Sequence, residues 1–262
     1  MNIATNNGLA VILGGGNGIG EATARLMQAR GWQTAIADKD AEAADRVATD
    51  LGATGFEVDI SSEASVAALA SQVETTLGPV SALVVAAAVF QDIVPTEDLE
   101  TEVWERILHT NLTGSFLANR IFGKAMLARR RGSIVNIASI AALGSMPAEA
   151  YGTSKAAVVH MTQNFAGEWG RSGIRVNAVS PGSTLVSRVA RRLQTGRYAS
   201  DPGDFTALGR IVQPNEVAEA IEFLASERAS AITGVNLVVD AGWQVASTWS
   251  QFGGVRPARE PE

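Results

Sequence analysis

Apolar and polar positions in this chain fall into two alternating patterns. Short unbroken apolar runs, which mark strands buried on both faces, are followed by stretches with apolar residues three and four apart, which mark helices. Leu9–Leu13 is the first run, stopping at Gly14, and helical spacing follows from Ile19 to Ala29. Gln33–Ala37 predicts a second strand ended by Asp38, and residues 40–50 an alanine-rich helix. A third strand, Thr54–Val58, leads to Ser61-Ser62-Glu63, a helix start because a serine oxygen can accept from the first free N–H groups. The run Leu83–Ala87 is the fourth strand, and helices follow around residues 99–108 and 112–130. Ser133–Ala138 is the fifth strand, residues 148–170 a helix, and Ile174–Val179 the sixth strand. Beyond an arginine-rich insertion, Asn215–Ser226 reads as a helix and Asn236–Val239 as the last strand.

Strands separated by helices throughout require parallel pairing with right-handed crossovers, which places helices on both faces of the sheet. The pattern predicts a single doubly wound α/β domain over residues 1–262, with no internal repeat, low-complexity tract or linker dividing it.

Composition narrows the function. The chain has 262 residues, 46% hydrophobic and 18% charged, in the range of an ordinary globule with one sizeable core. A net charge of −6 and a pI near 5.1 argue against nucleic acid, whose phosphates call for a basic face. With no cysteine there are no disulfides, thiolate nucleophiles or thiolate metal sites. His109 and His160 are too few and too scattered for a histidine metal site, so no metal is expected. The amino end, Met1 to Asn7, lacks the basic and apolar regions of a signal peptide, and no apolar run approaches the ~20 residues that span a bilayer. The expectation is a cytoplasmic enzyme with a small-molecule substrate and no membrane partner.

Two stretches carry chemistry. Gly14-Gly15-Gly16-Asn17-Gly18-Ile19-Gly20 lies between the first strand and the first helix, where glycines allow close backbone approach and the helix amino end offers free N–H groups to a pyrophosphate. Asp38, at the end of the second strand, can accept both hydroxyls of an adenosine ribose and would repel a 2′-phosphate, which favours NAD over NADP; the neighbouring Lys39 softens that preference. A P-loop needs Gly-Lys-Ser/Thr where this loop has Gly20-Glu21-Ala22, so phosphoryl transfer is disfavoured. Asp59 is either a cap before a helix or a partner for the adenine edge.

The second stretch is Tyr151-Gly152-Thr153-Ser154-Lys155. Residues four apart share a helix face, and an ammonium beside a phenol favours the phenolate, so Tyr151 is a general acid/base candidate. Alone, the same spacing also describes an ordinary amphipathic helix.

Taken with Asn111-Leu112-Thr113-Gly114, Ser139 after the fifth strand, Arg175 to Gly182, Thr233-Gly234 and Asp240-Ala241-Gly242, these motifs make the chain resemble the short-chain dehydrogenase/reductase family over essentially its whole length. The resemblance implies a Rossmann domain with a seven-stranded parallel sheet and hydride transfer between NAD(H) and a secondary alcohol or its ketone. It implies that Tyr151 exchanges the proton with the substrate oxygen, Ser139 hydrogen-bonds that oxygen, Lys155 holds the nicotinamide ribose and lowers the Tyr151 pKa, and Asn111 holds a water linking Lys155 to solvent. Gly14, Asn17, Gly18, Ile19, Gly20, Asp38, Asp59, Ile60, Ala87, Pro181, Gly182 and Thr184 would line the cofactor, with Thr184 reaching the carboxamide. Ser180 to Thr184 also resembles the matching loop of dihydrodiol-type dehydrogenases in the family. The chain departs from the family pattern at Leu13, usually threonine or serine, and at Val85-Ala86-Ala87-Ala88, which replaces Asn-Asn-Ala-Gly. Ser139 stands one residue closer to Tyr151 than the family spacing, which leaves Ser145 as an alternative.

The segments that choose the substrate are residues 88–95, 140–147 and 182–210, where Val89, Phe90, Leu143 and Met146 suggest an apolar lining. Arg188, Arg191, Arg192 and Arg197 make the last of these basic; they form either a solvated helix face or a grip on a substrate carboxylate or phosphate. The aromatic tail, residues 243–262, is expected to cover the cleft or a neighbouring subunit. The resemblance implies a homotetramer. The alternatives are an NADPH-dependent 3-oxoacyl-thioester reductase, which Asp38 disfavours, and a non-catalytic NAD-sensing protein.

Overall fold

In the first strand, β1 (Leu9–Leu13), successive side chains point to opposite sides, so Leu9, Val11 and Leu13 join one buried cluster while Ala10 and Ile12 join another. The same alternation runs through β2 (Gln33–Asp38), β3 (Thr54–Glu57), β4 (Val80–Val85), β5 (Gly132–Ile137), β6 (Ile174–Pro181) and β7 (Asn236–Val239). These seven strands form one parallel sheet in the order β3-β2-β1-β4-β5-β6-β7. The structure, a computed structural model, describes residues 7–257 other than Arg197 and Ala199, together with Arg259. The expected amino-terminal segment before Asn7, Arg197 and the end of the tail lie outside the described residues.

The helices are α1 (Gly18–Ala29), α2 (Ala41–Leu51), α3 (Glu63–Thr76), α4 (Thr101–Leu108), α5 (Gly114–Arg129), α6 (Glu149–Trp169), α7 (Ser187–Gln194), α8 (Pro214–Ala225) and α9 (Trp243–Ala246). One face of the sheet packs Val66, Leu69, Phe122 and Met126 of α3 and α5; the other packs Met27, Val47, Ile221 and Leu224 of α1, α2 and α8. Burying each such side chain contributes about 1.5–3 kcal/mol. Ser62 caps α3 as expected, accepting from the Ser65 N–H at 3.3 Å. Among the described residues no helix is long and apolar enough to cross a membrane.

Three expectations change. The fourth strand starts at Val80 and ends at Val85; Ala86 and Ala87 turn over the end of β1, their N–H groups donating to the Leu13 carbonyl at 2.8 and 2.9 Å. The helices expected around 99–108 and 112–130 are one rod, joined by a π turn over His109–Thr113 that absorbs one extra residue. The arginine-rich insertion contains α7.

Where the family has polar residues at the end of β4, this chain has Val85, and its cross-strand neighbour on β5 is Asn136. Asn136 and Asn119 of α5 bond reciprocally at 2.7 and 3.2 Å, and Asn136 also donates to Thr162 of α6 at 3.0 Å, tying sheet to helices inside the core. Replacing Asn136 by Val would leave the buried Asn119 side-chain carbonyl without its donor and take one bond each from the Asn119 amide nitrogen and Thr162, and should lower unfolding free energy by about 1–3 kcal/mol in urea titrations; an unchanged midpoint would show that the network contributes nothing.

Candidate active site

Because all strands run the same way, their carboxyl ends share one edge, and helices leave β1 and β4 on opposite faces to open a crevice there. The glycine loop closes over that edge. Gly14 has φ +79°, and a Cβ on it would sit 2.5 Å from the Ala87 nitrogen; a Cβ on Gly20 would overlap the Gly14 carbonyl. The close approach forms a cleft of about 410 Å³ lined by Gly14, Asn17, Gly18, Ile19, Gly20, Asp38, Asp59, Ile60 and Ala87. All nine had been expected at a cofactor. The fit to a dinucleotide is good: a loop with no room for side chains and the amino end of α1 face an acidic residue at the far end.

Asp38 is held in place by the N–H groups of Gly16, at 2.9 Å, and Asp40, at 3.1 Å. Lys39 turns away from it and pairs with Asp59 at 2.7 Å. Asp59 also accepts from the Ser61 N–H and hydroxyl at 3.0 and 2.5 Å. The hydrogen bonds from Lys39 and then Ser61 hold its carboxyl down at about 2.

Next to this cleft lies a pocket of about 270 Å³ containing Ser139, Tyr151 and Lys155. Tyr151 and Lys155 occupy one face of α6, and Ser139 lines the same pocket as the Tyr151 phenol. Ser145, the alternative, is exposed and outside the lining. Lys155 is 2% exposed and donates to the Ile137 carbonyl at the end of β5 at 2.7 Å. Burial pushes its ammonium down to about 8.

The phenol differs from expectation. Burial pushes the Tyr151 pKa up; the Ser139 hydrogen bond and the Arg188 charge pull it part of the way back. Lys155 had been expected to lower it, but its ammonium lies 5.7 Å from the ring centroid and is bonded to Ile137. In the protein alone, desolvation outweighs the cation.

Asn111 lies in the π turn, fully buried. Its amide donates to the Val89 carbonyl at 2.9 Å and accepts the Val89 N–H at 2.8 Å, with a further contact to Ser154 at 3.2 Å. The side chain therefore fixes the segment after β4. Pro181, Gly182 and Thr184 form one wall of the pocket, with Phe90, Ile93, Ile140, Met146 and Val189 as apolar lining. Val89 faces the dinucleotide cleft instead, and Leu143 points outward. Of the insertion's arginines, Arg188 and Arg192 reach the pocket and Arg191 does not. Among the described residues the tail contributes no lining, and Trp249 and Phe252 are exposed, so these residues do not cover their own cleft.

Sequence reading missed Gln91. Ala148 precedes α6 and has no side chain to cap it; the buried Gln91 does so instead, accepting the Tyr151 N–H at 3.0 Å and donating to Glu149 at 3.3 Å. The one hint was a helix start without a capping residue.

The comparisons agree with this geometry. A family model described as enoyl-(acyl carrier protein) reductase matches residues 14–244. The chain is 38% identical over 244 residues to cis-4-hydroxycyclohexanecarboxylate dehydrogenase of Sinomonas cyclohexanicum, covering 90% of this chain and 96% of that one. It is 36% identical over 244 residues to the L-tagatose-forming galactitol 2-dehydrogenase of Cereibacter sphaeroides, covering 90% and 94%. A Brucella melitensis crystal structure described as ribose-5-phosphate isomerase superposes with a TM-score of 0.93 at 46% identity, covering 96% of this chain and 98% of that one. The chain belongs to the short-chain dehydrogenase/reductase family. It is an oxidoreductase that exchanges a hydride between a nicotinamide cofactor and a secondary alcohol or its ketone.

The buried Lys155 makes a stability prediction. With a folded-state pKa near 8 against 10.5, the ammonium opposes folding below pH 8, and that penalty is released as pH rises from 8 to 10.5. Without cofactor, stability should therefore rise across this window in the wild type and stay flatter in Lys155→Met. Parallel pH profiles of urea unfolding for the two proteins would show that the lysine is not strained.

Proposed function

We propose that the cofactor is NAD and that Tyr151 is the general acid/base, with Ser139, Lys155 and Asn111 as its partners. The observation that carries the reading is that Ser139, Tyr151 and Lys155 share one pocket that adjoins the dinucleotide cleft. Both named relatives oxidise a secondary carbinol, which fits two hydroxyls converging on one oxygen.

A bound nicotinamide would supply the hydride acceptor or donor. Ser139 holds the substrate oxygen, and Tyr151 takes its proton during oxidation and returns it during reduction. A phenol raised by burial stays protonated and so is in the form the reduction needs, while for oxidation the Arg188 charge favours the phenolate that accepts the substrate proton. Lys155 would hold the ribose beside Tyr151, and Asn111 keeps Val89 and Ser154 in place beneath it. Gly14 to Gly20 would hold the pyrophosphate, Ile60 and Ala87 the adenosine and nicotinamide sides of the cleft, and Pro181, Gly182 and Thr184 the carboxamide end. Asp38 favours NAD, and Lys39, paired with Asp59, is not aimed at a 2′-phosphate. The same pairing makes Asp59 a brace for the cleft as well as a neighbour of the adenine.

Aldose–ketose isomerisation, the activity by which the Brucella structure is described, needs no dinucleotide; the glycine cradle and Asp38 favour hydride transfer here. Asp38 also disfavours the NADPH-dependent thioester reductase, and the intact Ser139, Tyr151 and Lys155 disfavour a sensing role. Self-association is supported by the face of α5 and α6, where half-exposed Phe116 stacks 6.0 Å from Phe165 and Phe165 4.3 Å from Trp169; a homotetramer is the expected form, read by sedimentation.

Tyr151→Phe should lower turnover at least about a hundredfold while NAD affinity stays nearly constant, measured by reduced-cofactor absorbance and by calorimetry. Turnover within tenfold of the wild type would remove Tyr151 from the proton step. Asp38→Ala should narrow the ratio of NAD to NADP affinity by about tenfold or more; an unchanged ratio would mean the ribose hydroxyls are held elsewhere.

A further inference from the structure

Arg188 and Arg192 stand one turn apart on α7, which is anchored by the buried Val189. Both line the pocket that contains Tyr151. Their guanidinium carbons lie 4.1 and 5.7 Å from the centroid of the Phe90 ring, and that ring lies 4.2 Å from the ring of Tyr151. The two cations and the phenol are thus gathered around one phenyl ring. Stacking uses the guanidinium faces and leaves the N–H edges to a ligand.

Ion pairs neutralise arginines elsewhere, such as Arg30 with Glu222 and Arg210 with Glu216. Among the described residues, neither Arg188 nor Arg192 takes part in one. Placing two like charges side by side is unfavourable: burial and then the Arg192 charge both lower the Arg188 pKa. An anion between them would remove that conflict.

We propose that the alcohol this site oxidises carries a carboxylate, gripped by Arg188 and Arg192 in the pocket they share with Tyr151. The proposal rests on the dehydrogenase reading above. Three features select the ligand. Phe90, Ile93, Ile140 and Met146 suit a hydrocarbon skeleton better than a polyol, which would leave hydroxyls unpaired. The Tyr151 pocket has no carboxylate among its described lining residues, while the adjoining cleft of about 310 Å³ adds Arg106, Asp92, Asp98 and Glu100 to the same two arginines; the three carboxylates offset the three arginines there, so the pair balances a monoanion better than a phosphate dianion. Finally, Arg188 also borders the dinucleotide cleft, whereas Arg192 does not, so Arg192 distinguishes a substrate anion from the cofactor's pyrophosphate.

The test is calorimetric titration of the protein, with and without NAD, using cyclohexanecarboxylate, its neutral analogue cyclohexanecarboxamide, and cyclohexyl phosphate. None of these carries an alcohol, so binding is read apart from turnover. The wild type should bind the carboxylate at least about tenfold more tightly than the amide. Arg188→Leu and Arg192→Leu should each bring the two within about threefold, and Arg192→Lys should restore part of the preference, since charge is kept and the fork lost. NAD affinity should be unchanged in Arg192→Leu. No preference for the acid in the wild type, including no binding of either compound, would overturn the proposal. So would a preference that survives both leucine substitutions, or selection of the phosphate over the carboxylate. Oxidation by NAD of cyclohexanol and of the hydroxycyclohexanecarboxylates checks the dehydrogenase reading separately: no reduced cofactor from any of them beside selective acid binding would overturn that reading and leave the anion site standing.

Discussion

No side chain fits at residue 14. The backbone of the glycine loop lies against Ala87, and Ala86 and Ala87 both donate to the carbonyl of Leu13, so the ends of β1 and β4 are locked together. From that lock the chain runs into the segment that builds the site. Val89 is tied to Asn111 in the π turn, Phe90 lies against Tyr151, and Gln91 caps the helix on which Tyr151 stands. The segment 86–91 thus carries position from the dinucleotide cleft to the catalytic helix, and a shift at the glycine loop would be passed to the phenol through contacts rather than through flexible chain.

The site is held at a cost in stability. Lys155 is an ammonium taken almost wholly out of water, with one carbonyl as its bonded partner, and Tyr151 is a phenol whose ionised form burial disfavours. The ammonium opposes the fold at neutral pH, whereas the phenol, protonated there, opposes it only at alkaline pH. The surrounding core, with clusters on both faces of the sheet and the Asn119–Asn136–Thr162 network, supplies the rigidity that keeps these groups in place.

Much of this was legible in the chain because it is local. Apolar runs and helical spacing located all seven strands, and the glycine loop, Asp38, Tyr151 and Lys155 are recognisable from their own neighbours in sequence. What escaped depends on contacts between distant segments. Gln91 caps a helix that begins some sixty residues later. The π turn absorbs an extra residue and so shifts the apolar spacing, and that break reads as two helices where one rod exists. The direction of the Tyr151 shift could not be read from Tyr-x-x-x-Lys, because the spacing gives the cation and not the desolvation. Likewise, four arginines in a row of polar residues gave no sign that two would stack on Phe90.

The central claim is direct hydride transfer at this crevice. An alcohol that the protein oxidises, deuterated at the carbinol carbon, would be incubated with NAD and the reduced cofactor analysed by mass spectrometry. One deuterium per reduced cofactor, with none in the water, is the predicted result. Deuterium released to the water while the cofactor gains none would mean proton abstraction through an enediol, the chemistry of an isomerase, and would contradict it.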